Sequence, residues 1–273
     1  MRSRTPARTI NTALAVLAFL TLFPLAWMVS ASLMAPGEAS SFPPPLWPRS
    51  PSLDNYRQLL SGGGITRQVL NSVLVSVGAT ILSLAFNLSA GYAFAKLRFA
   101  GRDRLFRWLL GALVIPAQVT MMPLFLMLKE MGLVNTVPGA LVPWLASVFG
   151  IFLVRQYALA IPDELIEAAR IDGAGEGRIF VSVVLPLLKP VIVTLAVLSF
   201  LGAWNDFMWP LIVLTDRDLQ TLPVALAGLS REHVQDTELM MAGAVITVLP
   251  VLLLFLLLQR HYMQGLLMGS VKG

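Results

Sequence analysis

Six long apolar runs, separated by short polar segments, leave this chain few folds to adopt. They lie near residues 10–33, 69–95, 106–128, 137–154, 185–213 and 239–258. About 20 consecutive apolar residues let an α-helix cross a hydrocarbon core. A barrel would need alternating strands of about 10 residues, whereas these runs are continuous. The composition agrees: 56% of the 273 residues are hydrophobic and only 13% are charged. An ordinary soluble domain carries about 25% charged residues. The expected fold class is an all-α membrane protein with six transmembrane helices in a single transmembrane domain, 1–273. The fourth run is the shortest and begins beside Pro138.

The first run follows Arg2, Arg4 and Arg8 and imitates a secretory signal. A signal core runs about 7–15 residues, and the stretch from Ile10 to Val29 is about 20. An uncleaved first helix is expected, with cleavage near Ala31 to Ala35 as the alternative. Lys and Arg set the orientation. With the N-terminus cytoplasmic, the inner segments hold Arg2, Arg4, Arg8, Lys96, Arg98, Arg102, Arg104, Arg107, Arg155, Arg170, Arg178, Lys189, Arg260 and Lys272, 14 of the 20. The outer segments hold Arg49, Arg57, Arg67, Lys129, Arg217 and Arg231, the other 6. The excess predicts both termini inside and accounts for the net charge of +5 without nucleic acid as a partner.

Several chemistries are excluded. There is no Cys, so no disulfide or thiolate site forms, and His233 and His261 stand too far apart in sequence to suggest a metal centre. No GxxxxGK[ST] loop, H-E-x-x-H or G-x-S-x-G motif occurs. Each segment outside the bilayer is shorter than roughly 40 residues, whereas a nucleotide-hydrolysing domain needs on the order of 100–250. If ATP drives this protein, a separate subunit binds the ATP and Mg, and this chain carries no cofactor and is not an enzyme.

The cytoplasmic loop 155–190 is the most informative polar segment. Pro162 suits the start of a helix, and Asp163 and Glu164 favour its positive end. Leu165, Ala168 and Ala169 fall on one face, with Ile171 near its edge and Glu164, Glu167 and Arg170 elsewhere. Gly173 is a natural residue to follow the helix. This element is too short and charged to cross. It reads either as a docking helix for a soluble partner or as an ordinary surface helix before a Gly-rich turn. Gly175 and Gly177 are the expected hinge.

The EAA of Glu167 to Ala169, Gly173 six residues after the Glu, and the later Leu185-Pro186 resemble the signature loop of permease subunits of ATP-binding-cassette importers. Further stretches carry the resemblance across nearly the whole chain: GYAFAKLRFAGRDRLF from Gly91, FLGAWNDFMWPLIVL from Phe200, TLPVALA from Thr221 and LLQRHYMQGLLMGSVKG from Leu257. They are similar to the carbohydrate-uptake branch, the second permease of maltose- and glycerol-phosphate-type systems. The resemblance implies a type I importer permease (MetI-like) fold in the cytoplasmic membrane. It implies that Glu167, Ala168, Ala169, Asp172 and Gly173 sit in a cleft of an ATPase subunit. It also implies two ATPase subunits, a second homologous permease and an extracytoplasmic solute-binding protein as partners, with lipid around the spans.

Within the spans, Asp206 of the Trp204-Asn205-Asp206 triplet is the costliest group. It reads as a translocation-pathway position, with Trp204 and Asn205, or as a cap beside Pro210. Asn71, Asn87 and Gln118 are expected to hydrogen-bond between helices, and Pro24, Pro116, Pro123, Pro210 and Pro250 to kink them. The outer Pro-rich segment is expected to run extended into a short helix capped by Ser52. The mixed-charge outer segment from Asp216 to Glu238 reads as a solvated loop. The resemblance implies that its Arg231, Glu232 and Asp236 contact the binding protein. A self-contained secondary carrier remains the rival reading, although no internal repeat is visible and Asp206 is the one candidate coupling acid.

Overall fold

The computed structural model describes residues 5–62, 65–232 and 236–268, and every regular element among them is helical. Arg2, Arg4, His233 and Lys272 lie outside the described residues, as do the side chains of Arg8, Arg231, Glu232, Arg260 and His261. The order is α1 (Thr5–Ser32), α2 (Asp54–Gly62), α3 (Ile65–Lys96), α4 (Arg102–Gly111), α5 (Ala117–Glu130), α6 (Val137–Leu141) and α7 (Val148–Leu159). Then follow α8 (Asp163–Ile171), α9 (Glu176–Ile179), α10 (Leu185–Leu187), α11 (Lys189–Trp204), α12 (Met208–Val213), α13 (Leu222–Glu232) and α14 (Thr237–Met268). A π-helical turn, Phe180–Val184, joins α9 to α10.

Three helical stretches are long and apolar enough to cross a membrane unaided: Thr9–Ser32, Ile65–Lys96 and Thr237–Leu257. Three more qualify as bent pairs: Arg102–Val114 with Ala117–Glu130 (106°), Val137–Trp144 with Val148–Leu159 (48°), and Glu176–Leu187 with Lys189–Trp204 (82°). The breaks have chemical causes. Pro116 has no N–H to continue a helix, and Ile115 and Pro116 are extended at ψ 117° and 134°. Ser147 restarts the second pair as an N-cap, its Oγ accepting from the Gly150 N–H at 3.2 Å. Leu188, between Pro186 and Pro190, is the joint of the third. Pro24, Pro123 and Pro250 instead stay inside continuous helices. The apolar run 185–213 is divided again after Trp204, where residues 205–207 separate α11 from α12.

The chain packs as two compact units, 1–66 with 222–253 and 67–221 with 254–273. In the first, the Pro-rich segment is tied to α1. Trp27 Nε1 donates to the Pro45 carbonyl at 3.2 Å, and Ser30 Oγ donates to that of Leu46 at 2.7 Å. Asn55 of α2 closes the end of α1 by donating to the Ser32 and Met34 carbonyls, both at 2.9 Å. Ser52 Oγ accepts from the Asp54 N–H at 3.0 Å, the expected cap. Glu238 does not lie in a solvated loop: it is 0% exposed, and its Oε1 accepts from the Ala39 N–H at 2.6 Å. The bond stitches the start of α14 to the segment after α1. Glu238→Ala leaves that buried N–H without its acceptor, at a cost of about 1–3 kcal/mol. The expected outcome is a lower melting temperature in detergent. Glu238→Gln, which keeps an acceptor oxygen, loses less.

In the second unit the largest core joins α3, α7, α8, α9 and α11 through Tyr92, Val154, Ala158, Ile166, Ile179 and Val191. A Cβ on Gly91 would lie 2.5 Å from Val154, so glycine sets the close approach of α3 and α7. A second core sets Trp209 and Val213 of α12 against Leu128 and Ala140. Trp209 Nε1 donates to the Gly139 carbonyl at 3.1 Å. Arg155 caps a smaller aromatic cluster, its guanidinium 4.2 Å from the Phe106 ring centroid.

Candidate functional site

Within the loop 155–190, α8 is a well-terminated helix. α8 begins after Pro162, with Asp163 and Glu164 in its first turn and Arg170 in its last, each placed to complement the helix dipole. It ends in a Schellman motif. Gly173, at φ +81°, donates its N–H to the Arg170 carbonyl at 3.0 Å, and the Ala174 N–H reaches that of Ala169 at 3.0 Å. Gly173 is the one glycine of this loop that needs its left-handed freedom. Gly175 has an ordinary extended backbone and Gly177 lies inside α9, so neither position demands glycine by its φ.

The expected apolar face of α8 is only half right. Ile166, 2% exposed, enters the core with Ala169 packed beside it. Leu165 and Ala168 turn outward with Ile171, which is 86% exposed. Five apolar residues thus divide into an anchoring face and a free face, with Glu167 and Asp172 exposed beside the free one. The free face is thus an exposed Leu–Ala–Ile stripe flanked by carboxylates.

Two polar tethers hold this loop to the end of α3. Lys96, whose side chain is 6% exposed, donates to the Ile161 carbonyl and to Asp163 Oδ1, both at 2.6 Å. Tyr92, one helical turn earlier, donates to Glu176 Oε2 at 3.2 Å, while Arg170 Nε donates to Glu176 Oε1 at 2.7 Å. The hydrogen bond from Lys96 holds the Asp163 carboxyl below its ordinary pKa, and that from Arg170 does the same for Glu176. Lys96 and Tyr92 were not singled out in the sequence. The available signal was their i,i+4 spacing, which sets two polar tips on one face at the C-terminal end of a long apolar helix.

Asp206 opens onto a cavity of ≈ 550 Å³ that is also lined by Trp144, Phe149, Thr120, Trp209 and Gly202. Its floor is a hydrogen-bonded chain. Ser147 N–H donates to Asn87 Oδ1 at 2.9 Å, Asn87 Nδ2 donates to Ser83 Oγ at 2.8 Å, and Ser83 and Ser199 share a bond of 3.0 Å. Asn87 thus bridges helices as expected. Gly202 has Trp144 against it: a Cβ there would lie 2.7 Å from the indole. The triplet at 204–206 is taken apart. Trp204 is 1% exposed and stacked on Phe200 at 5.8 Å, away from the cavity lining, and Asn205 donates to the Leu201 carbonyl at 2.8 Å. Only Asp206 lines the cavity, with its Oδ1 also accepting from the Trp209 N–H at 3.3 Å. One residue thus both lines the cavity and caps the start of α12.

Of the outer candidates, the side chains of Arg231 and Glu232 lie outside the described residues. Asp236 is engaged at the start of α14, its Oδ1 accepting from the Leu239 N–H at 3.2 Å. Asn71, expected between helices, instead holds the 216–220 turn by donating to the Asp218 and Gln220 carbonyls at 2.8 and 3.0 Å.

Comparison with known proteins agrees with this architecture. The arabinooligosaccharides transport system permease protein AraQ of Halalkalibacterium halodurans is 38% identical over 266 residues, 95% of this chain and 94% of its own. The lactose transport system permease protein LacG of Rhizobium radiobacter is 33% identical over 277 residues, 100% of this chain and 98% of its own. A solved chain of a bacterial ABC transporter involved in the import of the acidic polysaccharide alginate superposes at TM-score 0.83 with 25% identity, covering 96% of this chain and 98% of that one. The fold is therefore that of an ABC importer permease, in an inner-membrane, multi-pass setting. Residues 85–267, which include α8, both tethers and all of the cavity lining but Ser83, match the binding-protein-dependent transport system inner membrane component, and the chain belongs to that family.

Proposed function

We propose that this chain is one permease subunit of an ABC importer for a sugar or sugar derivative, moved by alternating access and driven by a separate ATPase docked on α8. The observation that carries the reading is the free face of α8, where Leu165, Ala168 and Ile171 stand exposed on a helix anchored through Ile166 and ended at Gly173. Glu167, Ala168, Ala169, Asp172 and Gly173 form the coupling element. Two ATPase subunits hold the ATP and Mg, and a second, homologous permease completes the membrane path. A solute-binding protein delivers the cargo on the outer side, where Arg231, Glu232 and Asp236 are its candidate contacts. The excess of Lys and Arg supports both termini inside. The sugar assignment draws on the names of the relatives, which include permeases for arabinooligosaccharides and lactose.

Closure of the ATPase pair pushes α8. The push reaches α3 through Lys96 and Tyr92, and α11 through α9, α10 and the bend at Leu188. Gly175 and Gly177 lie within this jointed connection.

The chain has no native Cys, so single cysteines report without background. Ala168→Cys and Ile171→Cys are expected to cross-link to an ATPase subunit in native membranes, and Val181→Cys, exposed outside α8, is not. Cross-linking of neither α8 cysteine to any nucleotide-binding subunit overturns the docking.

A further inference from the structure

The Asp206 cavity contains one formal charge. Of its lining residues Asp206 is acidic, and none is Lys, Arg or His. A carboxylate accepts hydrogen bonds and never donates, and its two oxygens offer about four acceptor sites. The backbone N–H groups of Trp209, at 3.3 Å, and of Met208 take two of them. The remaining capacity faces a cavity whose other walls are mostly apolar, with a few hydroxyls engaged in local hydrogen bonds. Thr120 Oγ1 donates to the Ala117 carbonyl, Ser147 Oγ accepts from Gly150, and Ser83 pairs with Ser199. Trp144 lies on Gly202, held where a larger residue would displace it, and Phe149 is exposed on the same lining. An aromatic wall and a strong acceptor lining one cavity suit a polyhydroxylated ring, with its apolar face on the aromatics and its hydroxyls donating to the carboxylate. At ≈ 550 Å³ the space falls within the ordinary ligand-pocket range.

The sign of the charge then selects the cargo. An acidic sugar brings a second carboxylate to a lining that offers it no cation, and like charges at close quarters repel. The fold itself tolerates an acidic cargo, since the alginate importer shares it, so the selection resides in side chains. We propose that this cavity is a transport subsite for uncharged oligosaccharides, with Asp206 accepting from sugar hydroxyls and Trp144 supplying the stacking wall. The proposal rests on the sugar-importer reading given above.

The test uses the complete importer with its own binding protein in proteoliposomes, with raffinose, maltotriose, arabinotriose and trigalacturonate as probes. Asp206→Asn keeps an acceptor oxygen for the Trp209 N–H and so preserves the cap while removing the charge. Charge-assisted hydrogen bonds are roughly twice as strong as neutral ones, so uptake of a neutral probe is expected to fall about tenfold. ATP hydrolysis stimulated by the loaded binding protein stays within about twofold, a split that misfolding would not give. Trp144→Ala is expected to show the same split. Neutral uptake unchanged in both variants, or trigalacturonate carried by the unaltered importer as fast as the neutral sugars, overturns the subsite alone. Uptake of no oligosaccharide of either charge by an assembled, ATP-hydrolysing complex overturns the sugar-importer reading beneath it.

Discussion

Glu167→Lys is expected to abolish uptake while the chain still inserts and folds. Glu167 is exposed on α8, outside the core that Ile166 enters, so its replacement costs this subunit little. The cost falls on the docked state. Covered by a partner, the carboxylate is desolvated and must meet a basic group, and losing one member of such a pair typically costs about 2–5 kcal/mol. Reversal of the charge adds repulsion, so a loss of at least about tenfold follows from the low end of that range. Gly173 acts through the backbone of the same element. No atom lies within 4 Å of a Cβ placed there, so the penalty of a side chain is the left-handed φ of +81° alone, about 1–2 kcal/mol for an ordinary residue. Gly173→Asn, which tolerates that conformation, is therefore expected to transport better than the β-branched Gly173→Val. Uptake in whole cells and recovery of the ATPase with the tagged permease measure both effects. Normal uptake by Glu167→Lys sinks the coupling assignment, and equal loss in Asn and Val variants sinks the conformational account of Gly173.

The bounds of α8 were legible because they are local. Pro162, the acidic first turn and Gly173 each act through their own backbone. Its orientation was not, because apolar residues at 165, 166, 168, 169 and 171 nearly ring so short a helix, and periodicity then cannot choose the buried face. The core made by Tyr92, Val154 and Ile179 makes that choice, turning Ile166 inward. The same limit governs the cavity. Asp206 stands out in a sequence because a charge in an apolar run is costly. Trp144 does not, since its position depends on Gly202, far along the chain. Glu238 sits among charged neighbours and looks solvated, and only the Ala39 N–H, 199 residues away, reveals its buried role. Continuous apolar runs gave helices but not their breaks: prolines at 24, 123 and 250 are absorbed, while Pro116 and the Pro186–Pro190 pair frame sharp bends.

Lys96→Met is expected to uncouple the protein. Its ammonium is the fixed point between α3 and the start of α8, and the Ile161 carbonyl and Asp163 both depend on it at 2.6 Å. Methionine retains the length of the stem but neither bond. Hydrogen bonds to charged groups contribute about 1.5–3 kcal/mol each when shielded from water. The Asp163 arm is largely exposed and is discounted accordingly. The Ile161 arm carries most of the effect, so Asp163→Asn should be much milder than Lys96→Met. Tyr92→Phe removes one 3.2 Å bond from the second tether and should also be mild alone. Combined with Lys96→Met it should cost more than the sum, because two tethers to one loop act as a unit. The pH dependence follows from the carboxyls. Asp163 and Glu176 have depressed pKa values in the fold, so their contribution is fully present above the ordinary carboxylate range and is lost only as the pH falls through the lowered values. The tethers thus hold throughout the neutral range. In proteoliposomes Lys96→Met should still bind and hydrolyse ATP with its partners while uptake falls about tenfold. Loss of hydrolysis and uptake in equal proportion would mark a folding defect, and unimpaired uptake would show that α3 is not on the path from α8 to the membrane.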